Sequence, residues 1–205
     1  MQNLSHAIMA QRHEPSDSAD DFPTPPWATR ALLEHVLTGV DFANKSCLEP
    51  ACGRGYMSRP LSERFASVTS SDAFDYGFSD VRDFLRAPHS ARSVDWIITN
   101  PPFRLAQDFI ERALHVARDG VAMLARTVFL ESVGRYNGLF RERPPAVFAQ
   151  FTERVPMVKG RVDAKASTAT GYAWFVWRHD MPNQEARLAW IPPCRRRLER
   201  LGDYS

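Results

Sequence analysis

One stretch of this sequence has residue types and spacing suited to chemistry on a planar amine. Asp95 to Phe103 reads Asp-Trp-Ile-Ile-Thr-Asn-Pro-Pro-Phe. Pro101 and Pro102 lack backbone N–H groups, so Asn100 sits in a corner rich in carbonyl oxygens and poor in competing donors. Such a corner accepts hydrogen bonds from an amino group, and Phe103 offers a flat face beside it. An exocyclic amine on a planar ring fits both features. A strand end with a turn and a core Phe is the plainer use of the same residues.

A second group of residues suits a nucleotide-like ligand. Glu49-Pro50-Ala51-Cys52-Gly53-Arg54-Gly55 follows a short strand and precedes a helix. Gly53 and Gly55 let a ligand approach the backbone, and the helix start behind them carries unpaired N–H groups. The third glycine of a dinucleotide fingerprint is missing, which argues against a nicotinamide enzyme. Asp72 ends the next strand, where an acid can accept from both hydroxyls of a ribose. Asp83 could take an adenine amine while Phe84 packs on the ring; a helix cap is the alternative use of Asp83. Thr24 reads as a cap ahead of Pro25 and Pro26, which suit a first helical turn.

The elements that must position these residues follow from periodicity. Trp96 to Ile98 is a short apolar run bounded by turn formers, as expected of a buried parallel strand. The two prolines stop it, which puts Asn100 at its carboxyl end, where open α/β sheets bind ligands. Strands are also expected at 46–50, 67–71, 121–125, 147–155 and 173–178, the last of them ending the sheet. Helices are expected over 27–37, from the glycine turn to about Phe65, and over 105–116. The stretch 156–172 is a loop long enough to be functional. Residues 1–21 read as a polar, loosely held arm, and 22–205 as one domain.

Composition narrows the function further. The 205 residues carry a net charge of +2. Residues 1–134 hold 13 Lys and Arg against 17 Asp and Glu, whereas 135–165 hold 7 against 3. This basic excess marks a side suited to a polyanion; Arg135, Arg141, Arg143, Lys159, Arg161 and Lys165 are its candidate contacts. No membrane span and no export signal are expected. The three cysteines, Cys47, Cys52 and Cys194, form no ligand-spaced cluster, so no metal site is expected. An odd cysteine count fits a reducing cytoplasm.

Taken together, Thr24-Pro25-Pro26-Trp27, Glu49 to Gly55, Asp72, Asp83-Phe84 and Asn100-Pro101-Pro102-Phe103 resemble the class I S-adenosylmethionine-dependent methyltransferases of the amino type. Within that class the chain is similar to the N6-adenine DNA methyltransferases of phages and restriction–modification systems. The resemblance implies an α/β fold: a Rossmann-like, mostly parallel sheet of seven strands flanked by helices, with the last strand antiparallel. It implies that Thr24 and Pro25 hold the methionine end of S-adenosylmethionine. Glu49, Pro50, Ala51, Cys52, Gly53 and Gly55 would wrap its ribose and methionine portion. Asp72 would take the ribose hydroxyls, and Asp83 and Phe84 the adenine. Asn100, Pro101, Pro102 and Phe103 would bind and stack the target base. The implied partner is DNA; what remains of this chain after Phe103 is small loops and a basic tail, rich in Arg and Lys and poor in Asn and Gln, so a short or relaxed recognition sequence is expected. The same tetrad serves adenine in RNA and glutamine in protein, and a non-catalytic nucleic-acid-binding module is the reading outside enzymes.

Overall fold

The computed structural model describes residues 20–181 and 185–204. Eight strands form one sheet: β1 Ser46–Glu49, β2 Ser67–Asp72, β3 Asp80–Val81, β4 Val94–Thr99, β5 Ala117–Arg126, β6 Val147–Phe151, β7 Tyr172–Arg178 and β8 Arg187–Ile191. Their spatial order is β3-β2-β1-β4-β5-β7-β6-β8. Every neighbouring pair is parallel except those of β7, which runs antiparallel to both β5 and β6. The helices are α1 Pro26–Ala31, α2 Ser58–Ser62, α3 Ala106–Val116, α4 Val133–Arg135 and α5 Arg195–Leu198. Two of them continue into wider turns. Leu37 N–H bonds the Leu32 carbonyl after α1, and Arg141 N–H bonds that of Tyr136 after α4.

The central strands are apolar on both faces because both faces are covered. Along β4, Trp96 and Ile98 pack with Trp27, Leu32 and Leu61 on the α1 side. Ile97, between them, packs with Phe109, Ile110 and Ala113 of α3. β5 alternates in the same way, Ala122 and Leu124 to one face and Val121 and Met123 to the other. Gly120 of β5 has no alternative residue at this spacing. A Cβ there would lie 2.6 Å from the Trp96 ring and 2.8 Å from the Trp177 carbonyl oxygen.

The expected mostly parallel α/β sheet is present, with one more strand than expected. β8 was not anticipated. Its residues Leu188 and Trp190 are half exposed or more, so no clean burial period announces it. β3 has two residues, both exposed. The strand at 173–178 does not end the sheet; it is interior, between β5 and β6. β6 stops at Phe151, where Thr152 turns to bond the Ile191 carbonyl and Glu153 caps the N–H groups of Cys194 and Arg195. The helix after the glycine turn is one short turn, α2.

Three arginines of the C-terminal tail pair with acids, although Arg196, Arg197 and Arg200 remain exposed. Arg195 pairs with Glu199, Arg197 with Glu34 and Arg200 with Glu63. Buried Arg30 of α1 bonds both Asp203 and Glu63, which ties the tail behind the sheet. Residues 1–19 of the expected arm lie outside the described residues. Its last two residues, Asp20 and Asp21, are held: Asp21 pairs with Arg54 at 2.8 Å. Among the described residues no helix is long and apolar enough to cross a membrane.

Candidate active site

A cleft of about 1670 Å³ opens at the carboxyl ends of β1, β2, β4 and β5 and at the start of β7. Small-molecule sites typically measure about 300–1,000 Å³, so this one has room for a cofactor-sized ligand and a second group. Ten buried side-chain polar atoms among the described residues lack a partner. Three of them belong to residues lining this cleft: Thr24 Oγ1, Asn100 Oδ1 and Arg126 Nε. Buried polar groups are normally bonded, so these three are hydrogen-bonding capacity that the protein itself does not use at the cleft.

Asn100 follows β4 directly, as its sequence position requires. Its Nδ2 donates to the Phe22 carbonyl at 2.9 Å. That carbonyl can only accept, which fixes which end of the amide is nitrogen. The Oδ1 is thereby left buried and without a partner, on a residue that lines the cleft. Pro102 and Phe103 line the cleft, whereas Pro101 is buried beside it. The Phe103 N–H donates to Asp20 Oδ2 at 2.7 Å, a cap supplied from far along the chain to the short turn Phe103–Leu105. Residues 20–24 thus form a strap. It touches the glycine turn through Asp21–Arg54, the Asn100 segment through Phe22 and Asp20, and the 156–172 loop through Gly160 N–H to the Asp21 carbonyl.

On the β1–β2 side the lining is acidic. Asp72 is 9% exposed, and its two oxygens accept from Gly53 N–H at 2.9 Å and Phe74 N–H at 3.0 Å. Burial pushes its carboxyl up, against the pull of those N–H groups. Each oxygen retains a lone pair for a hydroxyl. Burial pushes the Glu49 carboxyl up to about 8, although the Ser58 hydroxyl donates to it. Ser58 in turn meets Ser70 at 2.7 Å. The Cys52 thiol lies 2.9 Å from the Ser79 hydroxyl, and burial pushes it to about 12, so it is no nucleophile. Gly53 has φ +50° with open space where a Cβ would be, as a ligand-approach glycine needs. Gly55 serves a different purpose: the Phe78 ring fills the space of its missing Cβ, and Gly55 does not line the cleft.

Thr24 does not cap α1. Pro25 holds the N-cap position without a side-chain bond, and the hydroxyl of Thr24, a residue of the cleft wall, is buried without a partner. Pro25 is buried behind it. Asp83 uses one oxygen to cap Leu85 N–H at 2.9 Å and pairs with Arg86 at 3.3 Å. Phe84 is 1% exposed and packs against Phe109 and His89 while forming part of the cleft floor. Pro50 and Ala51 also line it.

On the β4–β5–β7 side the lining turns basic and aromatic. Arg104, Arg126 and Arg154 line it with Phe103, Tyr172 and Met157. The Arg126 guanidinium lies 4.0 Å from the Phe103 ring centre. Phe22 packs on the same ring at 5.6 Å. None of the six basic residues singled out in the sequence lines the cleft. Arg135 is turned inwards to the Phe129 carbonyl and ring, Arg141 pairs with Glu142, and Arg161 with Asp163. Arg143, Lys159 and Lys165 are exposed outside it. The loop at 156–172 does build the site, through Met157 and the run Thr168 to Tyr172. Sequence reasoning missed Arg126 and the strap residues Asp20 to Phe22, whose roles depend on contacts distant in sequence.

No protein-family model matches the chain, and no curated protein sequence matches it. Solved structures do match. A modification subunit assigned to a type I restriction enzyme of Vibrio vulnificus YJ016 superposes with a TM-score of 0.60 at 18% identity, over 86% of this chain. This chain spans about half of that one, 48%. A protein of Pyrococcus horikoshii assigned as an RNA methyltransferase gives 0.54 at 15% identity, covering 81% of this chain and 90% of that one. The 23S rRNA methyltransferase ErmE gives 0.52 at 16%, covering 80% and 72%. At these identities the likeness is one of fold, and the fold is the Rossmann-like α/β sheet of methyltransferases.

Proposed function

We propose that this protein is an S-adenosylmethionine-dependent methyltransferase acting on the N6 amine of adenine in DNA, with residues 22–205 as its single catalytic domain. The observation that carries this reading is Asn100 Oδ1, a buried acceptor without a partner, held in place by the bond from Nδ2 to Phe22. The residues at the cleft also fit the cofactor. Thr24 Oγ1 is an unpartnered donor for a methionine carboxylate. Asp72 can take ribose hydroxyls above the open Gly53 turn. The acidic half of the cleft suits a ligand that carries an ammonium and a sulfonium, and the basic half suits a polyanion. When bound, the cofactor supplies an electrophilic methyl group.

The chain's own residues then have defined tasks. Asn100 Oδ1 takes one hydrogen of the target amine, and the Pro101 carbonyl is the second acceptor in this reading. Together they aim the nitrogen lone pair and stabilise the positive charge that grows on it. No general base is assigned. A base in a duplex reaches such a cleft only by leaving the stack, and Phe103 is the ring that receives it. Arg141, Arg143, Lys159, Arg161 and Lys165 would meet phosphates, contacts that position the duplex without reading its sequence. Recognition is accordingly short or relaxed. Incubation with labelled S-adenosylmethionine and DNA, RNA or protein, followed by identification of the modified residue, tests the proposal. N6-methyladenine in DNA is expected. Label found only in RNA adenine, or only in a protein glutamine, overturns the substrate assignment; no transfer and no cofactor binding overturns the enzyme.

A further inference from the structure

Arg126 is the one residue among the three with unpartnered atoms at the cleft that the mechanism above does not use. It ends β5, opposite Tyr172 of β7, one strand away from the Asn100 segment on the side remote from the glycine turn. Its guanidinium stacks 4.0 Å from the centre of Phe103, and its Nε is buried without a partner. Among the described residues no carboxylate pairs with it, although arginines elsewhere in this protein find one readily. A half-buried cation without an anion is costly to maintain. Here the cation is also in the way. A separation of 4.0 Å leaves no room for a base between guanidinium and ring, so this face of Phe103 is covered.

We propose that Arg126 is a substrate-binding residue of the acceptor side: it occupies the base's place on Phe103, yields it to the incoming base, and then pairs with the phosphate flanking that base. The inference rests on the proposed adenine methyltransferase reading and sharpens its substrate class. Guanidinium and base offer the ring contacts of similar strength, so the exchange is near balance. The displaced cation then needs an anion close to the reacting amine. A DNA strand carries one at each nucleotide, and a glutamine side chain in a peptide carries none.

The test uses the full chain and a DNA oligonucleotide with 2-aminopurine at the target position. Affinity is measured against salt for the wild type, Arg126→Gln and Arg126→Lys, with melting curves as a check on folding. Each phosphate contact contributes roughly 0.7–0.9 to the slope of log affinity against log salt. Arg126→Gln should lower the slope by about that amount, and Arg126→Lys should keep it. The 2-aminopurine fluorescence per bound complex should rise in Arg126→Gln, because Phe103 is uncovered. A slope in Arg126→Gln equal to that of the wild type overturns the inference while leaving the proposed function intact. If the wild type itself shows no salt-dependent binding of DNA and methylates a peptide, the proposed function falls first and this inference with it.

Discussion

The side-chain amide of Asn100 is oriented by the backbone carbonyl of Phe22, 78 residues earlier, across a 2.9 Å hydrogen bond. The reactive-looking end of the amide is thus set by a strap, and not by the Asn-Pro-Pro-Phe segment itself. Because the contact uses a main-chain oxygen, any side chain at position 22 can make it.

Replacement of Asn100 by Ala should therefore remove a fixed dipole from the cleft, together with its one hydrogen bond to the Phe22 carbonyl. Loss of one preorganised hydrogen-bonding group from a reacting centre typically lowers turnover by about 10²–10³-fold. Cofactor affinity and melting temperature should stay close to wild type. Asn100→Asp should also be poor, since it loses the Nδ2 donor and sets a carboxylate against the Phe22 carbonyl. Single-turnover methyl transfer reads both, and near-normal rates in the Ala variant would reduce Asn100 to a turn residue.

Glu49 gives a pH signature of definite sign. Its carboxyl is pushed up to about 8 in the folded protein, from an ordinary value near 4.5. Between those values the unfolded chain has lost this proton and the native one keeps it, so stability falls as pH rises from about 4.5 to about 8 and levels off beyond. Glu49→Gln should flatten that slope and raise the melting temperature at pH 8 relative to wild type. A cationic ligand beside Glu49 favours its charged form, so cofactor binding at pH 7 should release a proton and tighten with rising pH. Calorimetry in buffers of different ionisation enthalpy measures the release, and zero release would remove Glu49 from the ligand's surroundings.

The strap is latched by Asp21 and Arg54, whose side chains are 14% and 40% exposed. A pair this open contributes only about 0–1 kcal/mol to stability. Asp21→Asn should hence leave the melting temperature nearly unchanged. The KM for the cofactor should rise severalfold, because the latch joins the strap to the glycine turn. The charge-reversed double variant, Asp21→Arg with Arg54→Asp, should recover most of it. Steady-state kinetics on the three variants decide; an unaltered KM in Asp21→Asn means the latch is ornamental.

Gly120 offers a test of the sheet that carries the site. The Trp177 carbonyl that a Cβ would meet is backbone in the centre of the sheet and cannot swing aside. Gly120→Ala should cost roughly 1–3 kcal/mol, the usual penalty of overpacking. Urea unfolding measures it, and a change below about 0.5 kcal/mol, ordinary for surface substitutions, would mean that β4 and β7 part easily.

How far the site was legible in the sequence depends on the range of the forces that make it. Asn100 at a strand end was legible because the apolar run and the prolines that stop it are adjacent. So was Asp72, at the end of β2, two strands away. Gly55 looks like a ligand glycine in the sequence because nothing local announces that Phe78, 23 residues on, takes its space. Arg126 is an unremarkable strand-end arginine until the register of β4 and β5 lays it over Phe103. The six basic residues stand out in the sequence by charge density, which says nothing of direction; Arg135 points inwards. β8 escaped notice because an edge strand held by main-chain bonds, with Leu188 and Trp190 exposed, shows no burial period.

The reversed direction of β7 has a consequence for what this scaffold can become. β6 ends and β7 begins at the same edge of the sheet, since Gln150 pairs with Ala173 and Arg126 with Tyr172. The segment between them leaves from and returns to the rim of the cleft without crossing the sheet. Lengthening such a hairpin loop disturbs no crossover, and its exposed stretch around Lys165 to Ala169 lies apart from the buried Val155, Met157 and Val162. Its entropic cost grows only with the logarithm of length, about 0.6 kcal/mol for each doubling. The exposed stretch from Lys165 to Ala169 is therefore a natural insertion point. On the proposed function, a longer segment grafted there would overhang the acceptor side and supply base-reading side chains, adding selectivity while β4, Asn100 and the strap stayed as they are.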